Sequence, residues 1–165
     1  MKKCIPVLLL ILTLFTTRQS FAQKSIPAYD SKSFLERVSN PDTLYIVNFW
    51  ATWCIPCVKE LPAFDIIHDL YKGKPVKVLL MSFDFREQYP AKLESWVKKK
   101  KIHSEVAWFS ESNPNDYIPK IAPEWEGALP ATLLINNSTG KREVLGREIT
   151  ADELKQWIAT QPGSR

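Results

Sequence analysis

The sequence predicts an α/β domain built on a central mixed β-sheet flanked by helices. Runs rich in β-branched and aromatic residues ("TLYIVNFW", 43–50; "VKVLLMSF", 76–83; "EVAWF", 105–109) alternate with stretches of helical periodicity, as parallel strands joined by crossover helices do. The first two runs are almost continuously apolar, which suits strands covered on both faces. Near the end, "ATLLI" and "KREVLG" flank the turn "NNSTG" and add an antiparallel hairpin, so the sheet is mixed.

Each element has its own signal. "AYDSKSFLERVSNPD" reads as a short helix capped by Asp30 or Ser31, with Phe34, Leu35 and Val38 on one face and Asn40-Pro41 as its stop. After Cys57 the pattern is helical. Leu61, Phe64, Ile67, His68 and Tyr71 share a side, Gly73 ends the run, and Pro62 within it should bend the helix. Pro90 opens a further helix with the stripe Leu93, Trp96, Val97, and the lysines 98–101 suit its C-terminal dipole end. Residues 113–127 contain several prolines and Trp125. They hold one helical turn near 116–121 and are expected to shape a substrate groove, a packed loop being the alternative. Thr150 and Glu153 form a capping box ahead of Leu154, Trp157 and Ile158.

The first 22 residues read as an export signal, removed from a domain over 23–165. Lys2 and Lys3 precede an apolar run over 7–15 that is too short to span a bilayer comfortably, and Ser20-Phe21-Ala22 offers small residues for cleavage, an uncleaved N-terminal anchor being the alternative. Cys4 lies before the apolar run rather than after it, which excludes a lipid-anchored cysteine. Without Lys2, Lys3 and Arg18 the net charge falls from +4 to +1, so bulk charge makes no case for nucleic-acid binding. The expected site is the envelope or periplasm.

Cys54 and Cys57 are then the only cysteines left. A bond across so short a loop stabilises a fold little, so the value of the pair is chemical. Cys54 falls where a loop after a buried strand enters a helix, and there the unpaired N–H groups and the helix dipole favour thiolate. Cys57, one turn on, is more covered. This asymmetry lets Cys54 attack a disulfide and Cys57 resolve the mixed disulfide.

The stretch "NFWATWCIPCVKELPAF" with the later "LPATLLINNSTGK" resembles the thioredoxin superfamily, and within it the exported TlpA-like thiol–disulfide oxidoreductases. The resemblance covers nearly all of 23–165 and implies a thioredoxin-like fold with no cofactor. It implies a cis bond before Pro130, with the backbone of Leu129 turned outward to pair with a substrate strand. Glu60, three residues after Cys57, matches an acid that could manage the proton of that cysteine; the plain alternative is a surface residue. Asn48 stands where classical thioredoxins carry a buried acid, and it cannot titrate. Trp53 matches a tryptophan of the docking surface, with simple packing as its alternative, and Pro56 resembles that of reductants. The implied partners are oxidised protein thiols as substrates and a membrane electron-transfer protein as donor, to a monomer. Cytochrome c maturation is one implied setting.

Other readings fit less well. Zinc needs three or four ligands, and His68 and His103 have no ligand spacing. Haem attachment needs His where Val58 stands. A thiol peroxidase would carry threonine at Ala51, and a non-catalytic binding module would usually lack one cysteine. A disulfide-forming oxidant or isomerase remains open, because it uses the same two sulfurs.

Overall fold

The computed structural model describes residues 25–162, so the expected export signal and Cys4 lie outside the described residues. In chain order the elements are β1 (Ala28–Tyr29), α1 (Ser31–Arg37), β2 (Leu44–Trp50), α2 (Ile55–Leu70), β3 (Val76–Ser82), α3 (Ala91–Lys100), β4 (Glu105–Phe109), α4 (Pro114–Ile121), β5 (Ala131–Asn136), β6 (Lys141–Leu145) and α5 (Ala151–Thr160), with a 3₁₀ turn at Arg86–Gln88. The six strands form one sheet in the order β1-β4-β3-β2-β5-β6. β1, β4, β3 and β2 run parallel, while β5 is antiparallel to both β2 and β6. The sheet is mixed, as expected.

β2 is the axis of the molecule, and all seven of its residues are buried. Side chains alternate across a strand, and each set joins its own core. Ile46 and Trp50 pack with Leu61, Phe64, Leu93, Leu154 and Ile158 on the side covered by α2, α3 and α5. Tyr45, Val47 and Phe49 pack with Phe34, Tyr117, Ile121 and Trp125 beneath α1 and α4. The same alternation aims Asn48 at the α2 side, a polar residue in an apolar layer. Full burial of one such aliphatic or aromatic side chain contributes roughly 1.5–3 kcal/mol, so two separate layers anchor the strand that leads to the cysteines.

Asp30 caps α1 in a box with Ser33, and Thr150 caps α5 in a box with Glu153. α2 runs unbroken through Pro62. Three features depart from the sequence expectations. β1, only two residues long, pairs with β4 at the sheet edge, and its brevity leaves no periodicity to read. The Tyr89–Pro90 bond is cis, which nothing local announces. Residues 113–127 are not an open groove: Tyr117, Ile121, Ala122 and Trp125 are buried in the α1–α4 layer, and the Trp125 indole N–H donates to the Ala128 carbonyl at 2.8 Å. The segment is a packed wall because α4 turns its apolar stripe inward and α1 covers it.

Candidate active site

β2 ends at Trp50, and three residues, Ala51, Thr52 and Trp53, carry the chain to Cys54, the N-cap of α2. The Cys57 N–H donates to Cys54 Sγ at 3.3 Å, so this sulfur sits where the helix leaves its first amides unpaired. Cys54 and Cys57 are joined as a disulfide, with Cα atoms 5.3 Å apart. Cys54 retains 6% exposure, whereas Cys57 has none. Cys57 is therefore the more covered of the two sulfurs, and Cys54 keeps only a narrow opening to solvent.

Glu60 is not a surface residue. It is 5% exposed, and both its oxygens accept hydrogen bonds: Oε1 from Asn48 Nδ2 at 2.7 Å, Oε2 from the Ile149 N–H at 2.8 Å. Burial raises its pKa from 4.5 to about 7, with a contribution from Glu148, against the lowering by the Ile149 and Asn48 donors. Loss of hydration outweighs two hydrogen bonds, which leaves a carboxyl that exchanges a proton near neutrality. Among the described residues, its oxygens bond to Asn48 and Ile149 rather than to Cys57.

The Leu129–Pro130 bond is cis, as the resemblance implies. Ala131, which follows, pairs with Phe49, so register brings Pro130 to the end of β2 from which the cysteine loop departs. Leu129 is half-buried and Pro130 buried. Trp53 is half exposed and stacks on Phe85, centroids 5.7 Å apart. His68 lies along α2 and His103 pairs with Asp69 at 3.0 Å on its far flank, so neither joins the site.

One residue escaped the sequence reading. Asp84, 3% exposed just past β3, accepts from the Thr52 N–H at 3.1 and 3.2 Å, from the Thr52 hydroxyl at 2.5 Å and from the Ser82 hydroxyl at 2.7 Å. It ties the cysteine loop to the neighbouring strand. The only signal was an acid directly after a run of apolar strand residues, "VLLMSFD".

Comparison with known proteins agrees with this arrangement. Residues 23–140 match the AhpC/TSA family. The sporulation thiol-disulfide oxidoreductase A of Bacillus subtilis is 25% identical over 82% of this chain and 81% of its own length. The thiol-disulfide oxidoreductase ResA of Bacillus cereus is 29% identical over 68% of this chain, a match that spans 60% of that relative. The crystal structure of StoA from Bacillus subtilis superposes with a TM-score of 0.56 at 27% identity, covering 72% of this chain and 84% of that one. With a thioredoxin fold and a cysteine pair at the N-terminus of α2, the chain is a thiol–disulfide oxidoreductase and belongs to the AhpC/TSA family.

Proposed function

We propose that the protein is exported and reduces disulfides of envelope proteins. The observation that carries this reading is the graded burial of the pair: Cys54 keeps 6% exposure at the helix N-cap, Cys57 has none, and Glu60 is buried one turn beyond. In the reduced enzyme, Cys54 thiolate attacks one sulfur of a substrate disulfide. The substrate S–S bond breaks, and the leaving thiolate takes a proton. Cys57 gives up its proton towards Glu60 and attacks the Cys54 sulfur, which releases the second substrate thiol and closes the Cys54–Cys57 bond. Two electrons pass from the enzyme pair to the substrate. Pro130 and Leu129 lie at the right end of the sheet to hold the substrate backbone beside Cys54, and Trp53 offers it an apolar face.

An oxidising compartment returns such a pair to the disulfide form, so the cycle requires a thiol donor, which we assign to a membrane electron-transfer protein. Among the described residues no helix is long and apolar enough to cross a membrane, and the export reading rests on residues 1–22. Oxidised protein cysteines are the substrates, with apocytochrome c as one class, and the enzyme acts as a monomer. Pro56, between the cysteines, is the feature that favours reductant over oxidant.

The deciding experiment is equilibration of the Cys54–Cys57 couple with a defined thiol buffer. A potential near that of thioredoxin, about −270 mV, agrees with a reductase. A value near −120 mV makes the protein a disulfide-forming oxidant, leaving the chemistry of the two sulfurs intact but reversing its direction.

A further inference from the structure

The end of the sheet that carries Cys54 holds a second concavity. Register sets Trp50, Ser82 and Trp108 side by side across β2, β3 and β4, so the segments leaving β3 and β4 emerge beside the cysteine loop. Between them lies a pocket of about 220 Å³, walled by Phe85 and Arg86 on one side and Ser112 on the other, with Phe109 and Tyr117 also lining it. Two acids line it: Glu111 accepts from the N–H and hydroxyl of Ser31 at 2.6 and 2.7 Å, and Asp84 accepts from the hydroxyls of Thr52 and Ser82. The Arg86 guanidinium lies over the Trp108 ring, 5.5 Å from its centroid.

Phe85 belongs to this pocket and to the redox loop at once. It stacks on Trp53, one residue before Cys54, with an interplanar angle of 17°, and it is 63% exposed. Asp84, immediately before it, grips Thr52, immediately before Trp53. Two successive pairs, 52 with 84 and 53 with 85, thus bind the rim of the pocket to the cysteine loop. Of the five large hydrophobics exposed among the described residues, Trp53, Ile55 and Phe85 are all within this region, so apolar surface concentrates at the reactive sulfur.

We propose that this pocket is a recognition site for one apolar, preferably aromatic, side chain of the polypeptide whose disulfide Cys54 attacks, with Phe85 as the shared wall. The proposal rests on the redox function above and adds a specificity to it. The volume falls below the ~300–1,000 Å³ of pockets that hold drug-sized molecules and suits a single side chain. Two strand spacings separate β2 from β4, about 10 Å, which an extended chain covers in roughly three residues. The recognised side chain therefore comes from about the third residue away from the substrate cysteine.

The test uses the reduced protein and extended peptides, each with one cysteine held as a mixed disulfide with glutathione. Phenylalanine or alanine is placed at each of the five positions on either side. Cys54 attacks the peptide sulfur and expels glutathione thiolate; Cys57 then displaces the peptide thiol as the enzyme disulfide closes. Two electrons enter the mixed disulfide, and the two leaving thiolates take up the protons lost by Cys54 and Cys57. The readout is the ratio of rates for Phe and Ala peptides within each protein, so any general slowing in a variant cancels. The expected ratio peaks near the third position at about tenfold, a size that partial burial of one aromatic side chain supplies. It falls towards one in Ser112→Trp, which fills the pocket mouth from an exposed position, and in Phe85→Ala, which removes the wall. A flat profile in the unmodified protein, or a peak that survives both substitutions, overturns the proposal. Absence of exchange with every peptide would instead overturn the redox reading on which it rests.

Discussion

Asn48 donates its side-chain amide to Glu60 across 2.7 Å, joining the middle of β2 to the second turn of α2, with the buried Thr132 hydroxyl beside it at 3.3 Å. The Ile149 N–H completes the cradle from the loop before α5. Three segments of the chain thus converge on one buried carboxyl behind the cysteine pair.

The first prediction concerns pH. Burial raises the Glu60 pKa from 4.5 to about 7, so between these values the folded protein holds a proton that the unfolded chain has lost. Stability then falls as pH rises through this window. The protein suffers no penalty from Glu60 below about pH 4.5 and the full penalty above pH 7. At ~1.4 kcal/mol per unit, reduced by residual screening, the fall is about 2 kcal/mol. Glu60→Gln removes the titration. Denaturant unfolding of the disulfide form at pH 5, 6, 7 and 8 should show a slope in the parent protein and a nearly flat line in the variant; parallel slopes would refute the assignment.

Asn48→Asp is nearly isosteric but sets a second carboxyl against Glu60. Two carboxylates in one buried site cannot both ionise without a large cost, and the donor that Glu60 now uses is gone. The variant should be close to the parent in stability at pH 5 and about 3 kcal/mol less stable at pH 8, the range for an uncompensated buried charge. Equal losses at both pH values would show that the amide acts only as packing.

The parts of this site readable from the sequence are those set by local spacing. Cys54 and Cys57 are three residues apart at a strand-to-helix junction, and Glu60 is three further on, so helical geometry alone aligns them. Asn48 was legible only through the resemblance, as the residue that stands where classical thioredoxins carry a buried acid. Asp84 and Phe85 were not legible, because their partners Thr52 and Trp53 are 32 positions earlier and meet them only through the β2–β3 register. Residues 113–127 were misjudged for the complementary reason. Prolines with a tryptophan suggest a surface groove, but whether Trp125 faces water or Phe49 depends on where α4 docks, and here the two rings lie 4.6 Å apart.

Asp84 should be a structural keystone of the loop. Removing its carboxylate leaves the Thr52 N–H and two hydroxyls without their acceptor, and an abandoned buried donor costs ~1–3 kcal/mol. Asp84→Ala should lower unfolding free energy by about 3 kcal/mol, and Asp84→Asn should recover part of it, since one side-chain oxygen still accepts. Limited proteolysis near Thr52 tests the same point independently. Loss of stability without new cleavage there would place the effect elsewhere.

The last prediction separates the two sulfurs. In the reduced state of Cys57→Ser, the remaining thiol stands at the N-cap of α2 with residual exposure; in Cys54→Ser, the remaining thiol is sealed beneath the first helical turn. Thiolate character and access both favour the first. Iodoacetamide at neutral pH, followed by mass spectrometry, should label Cys54 at least about tenfold faster than Cys57, since reactivity tracks thiolate fraction and exposure together. A denatured control should bring the two rates together, because unfolding removes both the dipole and the cover. The same ordering makes Cys57→Ser, but not Cys54→Ser, accumulate a stable mixed disulfide with an oxidised substrate. If Cys57 reacts as fast as Cys54, attack and resolution cannot be assigned from burial, and the direction of the relay has to be reversed or abandoned.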